Sequence, residues 1–323
     1  MTLTAQTTGK TAGAAMELRR VQFAALGTRC ELQLATADES AARAFVTRAI
    51  GWVEAFEAKY SRFRCDSWLS RVNAAAGANW VEADAEAEQL LALCDTLYFV
   101  TGGVLDPTIL PLLRLWNYHD PEARAPGDDA IAAARRLVGW RKVQREPGRV
   151  FLPESGMSLD FGGFGKEYAV DMVAQLALDH GLGNVLVDFG HDLRVLGAPP
   201  GRAAWHIGLE NPRAPGTASG SVALAGNRGV ASSGDYARRV LIGGKRFGHI
   251  VDPRTGRPVA NGCVQATAIA GTCLQAGVLS TTAFVLGVPA GIEFIHSFPG
   301  AEGLLVTEQV RAQTRGFFRH VVS

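Results

Sequence analysis

The segment that says most about the fold is Ser158-Leu-Asp-Phe-Gly-Gly-Phe-Gly-Lys-Glu-Tyr-Ala-Val-Asp171. A short apolar run ends at Asp160, three glycines follow within four positions, and a helical pattern begins behind Lys166. Glycines allow a ligand to approach the backbone closely, and the first N–H groups of a helix favour an anion. Because Lys166 adds a full positive charge, the segment predicts a phosphate-binding turn.

The residues after this turn predict a helix and then a strand. His180-Gly181 is typical of a helix end, and Asn184-Val-Leu-Val-Asp188 indicates a buried strand. The unit is therefore a strand, a glycine turn, a helix and a strand. Apolar residues recur at helical spacing between the turn and the helix end, at Tyr168, Met172, Val173, Leu176 and Ala177.

The rest of the chain predicts helices early and strands late. Asp38 and Asp84 are placed to cap two helices, and a third, polar helix is expected over 128–137. From Val150 short apolar strands alternate with glycine turns, with helices near 166–180 and 274–286. We expect an α+β fold with a mixed β-sheet core and flanking helices. Residues 1–17 are expected to form a disordered tail and 18–323 a single domain. The first predicted helix has an apolar face formed by Phe45, Ala49, Val53, Phe56 and Tyr60.

Composition excludes several classes of function. The 32 basic and 31 acidic residues are well mixed, whereas a nucleic-acid surface needs a basic excess on one face. Five scattered cysteines without a C-x-x-C pair indicate reduced thiols. The first twenty residues lack an apolar signal sequence, and the uncharged run from Pro258 to Ile292 is broken by polar residues and glycines. We therefore expect no integral membrane segment, no nucleic-acid partner and a cytoplasmic location.

Three familiar nucleotide motifs are absent. Gly165-Lys166 resembles the end of a P-loop, but Glu167 replaces the required Ser or Thr and the first glycine is missing. Asp-Phe-Gly occurs at 160–162 and at 188–190 without the catalytic loop of a kinase. The spacing of a Rossmann fingerprint is also missing.

Three polar segments remain to be explained. Leu105-Asp-Pro-Thr108 and Ser232-Ser-Gly-Asp-Tyr236 have the composition of ordinary turns. The third segment, His249-Ile-Val-Asp-Pro-Arg-Thr-Gly256, gathers an imidazole, a carboxylate, a guanidinium and a hydroxyl. Composition alone leaves a hairpin turn and an active-site loop equally open for it.

Taken in order, these segments resemble the ApbE family of FAD:protein FMN transferases. The resemblance runs from about Phe23 to near Gly303. It implies an ApbE-like fold and transfer of FMN from FAD to a Thr or Ser hydroxyl of a target flavoprotein, with release of AMP. The segments that carry it are Leu26-Gly-Thr28, Tyr60-Ser61 with Ser67 to Asn73, Thr101 to Thr108, the glycine turn with Lys166, Val187 to Gly190 with Asp192, Ser233 to Tyr236, His249 to Gly256 and Leu279-Ser-Thr281.

The resemblance also implies sites for the substrate FAD. Lys166 falls at the pyrophosphate, and His249 falls at the reaction centre, as a base or as a group that positions phosphate. Asp235 and Asp252 could orient His249, although a hairpin turn also favours both. We expect catalytic functions for His249, Asp252 and Lys166. Beyond Lys166 and His249, the residues expected to bind FAD are Leu26 and Tyr60 at the flavin, Leu105, Asp106 and Thr108 at the nucleotide, and Asp235 and Ile250.

A magnesium site is implied as well, with one departure from the family pattern. The Gly165 carbonyl and the hydroxyls of Ser280 and Thr281 match expected ligands. Gly277, however, stands where the family has its main carboxylate ligand, and Mg²⁺ beside phosphates normally takes one or two carboxylates. Either Glu167 has taken over part of the metal site, or it only pairs with Lys166 or caps the helix start.

Three functions therefore compete. The first is FMN transfer to a protein hydroxyl, and the second is hydrolysis of FAD to FMN and AMP by water. The third, suggested by the glycine at 277, is FAD binding without chemistry. The presence of Lys166, His249, Asp252 and Thr281 argues against FAD binding without chemistry. FMN transfer is the leading interpretation, with hydrolysis of FAD as the alternative enzyme activity.

Overall fold

The computed structural model describes residues 16–116, 124–214, 216–235, 239–242 and 245–322. Residues 1–15 of the predicted tail and Tyr236 of the matching segment Ser233 to Tyr236 lie outside them. All the other residues expected at the site are described.

The predicted helices are confirmed, together with their caps. Asp38 and Asp84 each accept a hydrogen bond at 2.9 Å from a backbone N–H in the first turn of their helix. Across the described ranges, no helix has both the length and the apolarity needed to cross a membrane. The cytoplasmic location stays a prediction. The helices are α1 (Glu39–Tyr60), α2 (Trp68–Ala74), α3 (Ala85–Val100), α4 (Leu110–Trp116), α5 (Asp128–Arg136), α6 (Gly165–Asp179), α7 (Cys273–Leu286) and α8 (Ala290–His296), with 3₁₀ turns at Trp140–Lys142 and Phe317–His320.

The strands are mostly short and follow the glycine turns expected after Val150. They are β1 (Leu18–Ala25), β2 (Thr28–Ala35), β3 (Val81–Glu82), β4 (Gln144–Glu146), β5 (Arg149–Phe151), β6 (Val185–Phe189), β7 (Asp192–Gly197), β8 (Trp205–Glu210), β9 (Ala218–Leu224), β10 (Gly226–Gly234), β11 (Arg239–Ile242), β12 (Lys245–Gly248), β13 (Val251–Asp252), β14 (Arg257–Pro258), β15 (Cys263–Ala270), β16 (Glu302–Thr307), β17 (Arg311–Gln313) and β18 (Val321–Val322).

The central sheet has eight strands in the order β1-β2-β6-β7-β10-β15-β16-β17. The α+β class with a sheet core and flanking helices is confirmed, but the expected mixture of strand directions is not seen. Every pairing described in this sheet is antiparallel. The reason is connectivity: β1–β2 and β6–β7 are tight hairpins, and the longer connections also return the chain in the opposite direction.

Helices α6 and α7 pack on the middle of this sheet, and α1 packs on α6 and on the edge strand β1. α6 contacts β6, β7, α1 and α7, and α7 also contacts β10 and β15. The predicted apolar face of α1 is confirmed, since all five of its residues are buried. On α6 the buried face is rotated from the prediction, because the helix is enclosed by helices as well as strands. Its buried residues are Gly165, Glu167, Ala169, Val170, Val173, Ala174 and Ala177, whereas Tyr168, Met172 and Leu176 are half-buried.

Candidate functional site

The glycine turn presents backbone N–H groups at the start of α6. Asp160 anchors the turn, since its N–H donates to the Pro107 carbonyl at 2.7 Å and its Oδ1 accepts the Gly162 N–H at 3.1 Å. The turn then closes where the Gly165 N–H donates to the Phe161 carbonyl at 2.6 Å. Among the described side chains none caps the N-terminus of α6. Its first N–H groups can therefore bind an anion.

Lys166 supplies the positive charge at this turn. Its ammonium group forms an ion pair with Asp192, and its Nζ lies 3.7 Å from Oε1 of Glu167. Burial by itself would lower the pKa of Lys166, but the charges of Glu167 and Asp192 outweigh it and raise the pKa above its ordinary value. The lysine therefore stays protonated and can neutralise a phosphate.

The two carboxylates beside Lys166 come from different elements. Asp192 begins β7, and its Oδ1 accepts the N–H of Ser232 on β10 at 3.1 Å. Glu167 lies one residue into α6 from Lys166 and is only 8% exposed. Burial raises the pKa of Glu167 to about 7. No N–H or O–H group of the described residues donates to its buried Oε2, and the neighbouring Asp192 carboxylate also raises the pKa of Glu167. Two carboxylates therefore lie close together beside Lys166, a charge arrangement that a cation would stabilise.

A cluster of hydroxyls lies on α7, the helix next to Glu167. The Ser233 Oγ is 2.9 Å from the Ser280 Oγ and 2.8 Å from the Thr281 Oγ1. Ser280 also donates to the Gly277 carbonyl at 3.1 Å. A Cβ atom built on Gly277 would lie 2.6 Å from the Cγ of Glu167. Glu167 of α6 therefore lies against α7 at Gly277, one turn before Ser280 and Thr281.

The predicted nucleotide segment lies against the glycine turn. The Leu105 Cδ2 is 3.7 Å from the position of a Cβ on Gly163. Asp106 is buried, and its Oδ1 accepts both the N–H and the hydroxyl of Thr108, at 2.8 and 2.6 Å, while its Oδ2 accepts the Trp140 N–H at 3.1 Å. Burial raises the pKa of Asp106. Asp106 and Thr108 thus hold the loop, and their contact with a nucleotide stays a prediction.

The two predicted flavin-packing residues lie in different surroundings. Tyr60 is 5% exposed, with its ring centroid 5.0 Å from that of Phe56 and 5.9 Å from that of Phe161. Leu26 is half-buried in the β1–β2 turn with φ of 54°, a backbone conformation uncommon outside glycine. Its sequence neighbours Ala25 and Gly27 line a shallow cleft of about 680 Å³. Flavin packing by Leu26 and Tyr60 stays a prediction.

The segment around His249 is a hairpin. His249 is half-buried between β12 and β13. Asp252 accepts the backbone N–H and the Nε of Arg254 at 2.9 Å each and its Nη2 at 2.8 Å, so both carboxylate oxygens are engaged within the turn. A Cβ on Gly248 would lie 2.6 Å from the Cβ of Asp235. Asp235 therefore borders the residue before His249, whereas Asp252 is engaged by Arg254.

The structure brings the predicted residues into groups that β10 connects. Ser233 at the end of β10 reaches the hydroxyls of α7, and Asp235 just beyond it borders the His249 hairpin. The first group contains Gly165, Lys166, Glu167, Gly277, Ser280 and Thr281. The second contains Asp235, His249, Ile250 and Asp252.

Two side chains of this arrangement were not predicted as site residues. Asp192 pairs with Lys166, and Arg62 places its Nε 3.6 Å from Oδ1 of Asp160 at the glycine turn. Asp192 follows the two-residue turn at 190–191, and a carboxylate at the first position of a strand was the available signal. Its partner lies 26 residues earlier in the chain, so only the fold reveals the pair.

Comparison with known proteins places these features in a family. A sequence model of the ApbE family matches residues 26–305. A Vibrio cholerae protein named FAD:protein FMN transferase is 30% identical over 212 residues, which is 65% of this chain and 63% of that protein's length. A Treponema pallidum protein of the same name is 29% identical over 306 residues, covering 89% of this chain and 84% of that protein. The matched region thus spans less than two thirds of the Vibrio cholerae protein and most of the Treponema pallidum one.

The fold is shared as well. The crystal structure of the ApbE protein from Thermotoga maritima superposes with a TM-score of 0.86 at 28% sequence identity. The superposition covers 95% of this chain and all of that one. The similarity therefore extends over the central sheet, the helices α1, α6 and α7 and the glycine turn.

Proposed function

Because this chain belongs to the ApbE family, we propose that it transfers the FMN half of FAD to a threonine or serine hydroxyl of a target flavoprotein and releases AMP. The observation that carries the proposal is the half-buried cation of Lys166 at the uncapped start of α6. A diphosphate needs this combination of a fixed positive charge and free backbone N–H groups. The central sheet runs from β1 to β17, which supports residues 18–323 acting as one domain.

The reaction exchanges one phosphorus–oxygen bond for another. The hydroxyl oxygen of the acceptor bonds to the phosphorus of the FMN phosphate, the bond from that phosphorus to the bridging oxygen breaks, and AMP leaves with the bridging oxygen. Negative charge grows on the AMP phosphate as the bond breaks. Lys166 and the first N–H groups of α6 stabilise that charge because they are already oriented before the reaction.

The hydroxyl proton needs an acceptor at the other side of the phosphorus. His249 is the histidine of the hairpin, and its imidazole is the proposed acceptor. Asp235 borders Gly248, the residue before His249. An imidazole can take the proton near neutral pH or hold a phosphate oxygen by a hydrogen bond. Asp252 contributes by fixing Arg254 and the shape of the hairpin, which makes it a positioning residue.

The oxygen donors present at the α6–α7 contact fit Mg²⁺. Within the described ranges no three His, Cys, Asp or Glu side chains are grouped as a metal site, so a cation here would rely on mixed oxygen donors. Those are Glu167 with its unpartnered Oε2, the hydroxyls of Ser280 and Thr281, and the Gly165 carbonyl. Bound Mg²⁺ would neutralise the bridging phosphates.

Covalent flavin on protein tests the proposal directly. The purified chain is incubated with FAD, Mg²⁺ and the proteins of cells that lack it, followed by in-gel flavin fluorescence, mass spectrometry of the labelled residue and chromatography of AMP. We expect labelled Thr or Ser and AMP in equal amounts, and a loss of about 100-fold or more in Lys166→Met. AMP formed equally without acceptor protein would instead show hydrolysis, and intact FAD would show binding alone.

A further inference from the structure

The side chain of Glu167 occupies the space next to Gly277. A Cβ at position 277 would lie 2.6 Å from the Cγ of Glu167, 3.1 Å from its Cδ and 3.2 Å from its Oε1. Distances below 3 Å between such carbon atoms do not persist in folded proteins, so one of the two groups would have to move. Glycine at 277 is therefore what allows a glutamate carboxylate to lie against the face of α7.

The carboxylate held in this space lacks a full set of partners. Glu167 is 8% exposed, and Lys166 Nζ approaches its Oε1 only to 3.7 Å. No N–H or O–H group of the described residues donates to its buried Oε2, and the carboxylate of Asp192 lies close enough to repel it. Leaving a buried polar oxygen unpaired costs about 1–3 kcal/mol, or more for a charged group. A protein that keeps such an oxygen at the start of a helix in a site is expected to use it for a ligand.

Other oxygen donors lie on the same face of α7 as Gly277. Positions 277, 280 and 281 are related by three and four residues, so they share one side of the helix within a single turn. Ser280 and Thr281 both contact the Ser233 hydroxyl, at 2.9 and 2.8 Å. The carboxylate from α6 therefore lies against the helix face that carries these two hydroxyls. Carboxylate and hydroxyl oxygens are the donor chemistry of a hard divalent cation.

We infer that Glu167 is the carboxylate ligand of a divalent cation at the contact of α6 with α7, and that Gly277 is glycine to make room for it. The carboxylate ligand thus comes from the first turn of α6, beside the diphosphate turn, and not from α7. The inference rests on the proposed function for the identity of the neighbouring diphosphate. Cation binding is measured without flavin. A failure of the cation site can therefore be distinguished from a failure of the proposed FMN transfer.

Four proteins test the assignment. They are the wild type, Glu167→Gln, Gly277→Asp, and the exchange Glu167→Gly with Gly277→Asp. Asp179→Asn serves as the matched control, because Asp179 is an exposed carboxylate on the same helix. Binding of Mn²⁺, which oxygen sites usually hold more tightly than Mg²⁺, is followed by the EPR signal of free Mn²⁺, with protein alone and with ADP present. Circular dichroism and thermal unfolding check that each variant is folded.

The exchange variant gives the most discriminating result. We expect Glu167→Gln to weaken Mn²⁺ binding by about tenfold or more, and Gly277→Asp to lower the melting temperature because its side chain overlaps Glu167. The exchange variant removes that overlap and should bind Mn²⁺ within a few-fold of wild type. The assignment is wrong if folded Glu167→Gln binds like wild type, if wild type binds no Mn²⁺ in either condition, or if the exchange variant folds without binding.

Discussion

The carboxylate of Asp171 on α6 accepts a hydrogen bond from the backbone N–H of Cys273 at the start of α7, with Oδ1 and N 2.9 Å apart. Its Oδ2 accepts the N–H of Leu274 at 2.9 Å, and Nη1 of Arg194 on β7 pairs with Oδ1 at 3.0 Å. One side chain thus caps α7, joins it to α6 and neutralises a buried arginine. This joint sets the separation of the two helices at the place where Glu167 meets Gly277. Glu167 lies four residues before Asp171 on α6, and Gly277 lies four residues after Cys273 on α7.

Replacing Asp171 by asparagine should loosen that joint. An amide has one acceptor oxygen, so one of the two N–H groups of α7 and the charge of Arg194 lose their partner. We expect the free energy of unfolding in urea to fall by about 1–3 kcal/mol. Asp179→Asn, an exposed change on the same helix, should stay within about 0.5 kcal/mol of wild type. Equal stability of Asp171→Asn and wild type would contradict the capping function.

The stability of the protein should be as sensitive to replacement of Gly229 on β10 as to replacement of Asp171, for a steric reason. A Cβ on Gly229 would overlap the backbone of Thr272 and Cys273, because the start of α7 packs directly on this strand. Gly229→Ala should therefore destabilise the protein by about 1–3 kcal/mol. Gly51→Ala provides the comparison, since Gly51 lies in α1 with nothing within 4 Å of its Cβ position, and alanine there should stabilise by up to about 1 kcal/mol. Similar melting temperatures for the two variants would rule out the steric contact.

Local patterns predicted the elements of this fold well. The caps at Asp38 and Asp84 depend on a side chain three residues from its partner, and the apolar face of α1 depends on spacing alone. Both depend only on residues that are close together in the sequence. The order and direction of the eight sheet strands are not, because pairing partners such as β2 and β6 are separated by about half the chain. The rotation of the buried face of α6 likewise depends on which elements surround it.

The site shows the same division. The glycine turn and Lys166 were predicted from one continuous segment, and the family resemblance indicated the hydroxyls of α7. The ion pair of Asp192 with Lys166 and the cap of Asp171 on α7 join residues 26 and 102 positions apart. For Asp252, the sequence fitted a hairpin turn and an active-site loop equally well. The structure shows both of its carboxylate oxygens bound to Arg254 within the hairpin.

Reactivity of the thiols should follow their burial. Burial raises the pKa of Cys30 and of Cys263 to about 11, and it raises those of Cys94 and Cys273 well above the ordinary value. At pH 8 these four remain protonated and shielded, whereas Cys65 is exposed. Iodoacetamide on the folded protein should add one adduct, at Cys65, and five after unfolding, as peptide mass spectrometry would show. Fast labelling of Cys273 in the native state would mean that the α6–α7 joint opens.

Asp192 is expected to act on the reaction through Lys166. Its Oδ2 pairs with the ammonium group while its Oδ1 is fixed by the N–H of Ser232 at 3.1 Å, so the lysine is held between β7 and the turn. Asp192→Asn keeps the shape but loses the charge that attracts Lys166. The rate of AMP release should fall by about 10- to 100-fold, as for other supporting groups, mainly through kcat because the misplaced cation is needed most as the bond breaks.

Asp188→Asn is the matched control for that measurement. Asp188 lies on the preceding strand, where its Oδ1 accepts the His191 N–H at 2.8 Å within the β6–β7 turn. Asp188 is a carboxylate close to Asp192, but its hydrogen bond holds the turn and not Lys166. It should change kcat little, even if the turn loosens and the melting temperature drops. Asp192→Glu, which retains the charge, should recover part of the rate. If both asparagine variants lose activity only in proportion to their stability, Asp192 has a structural function alone and does not position Lys166.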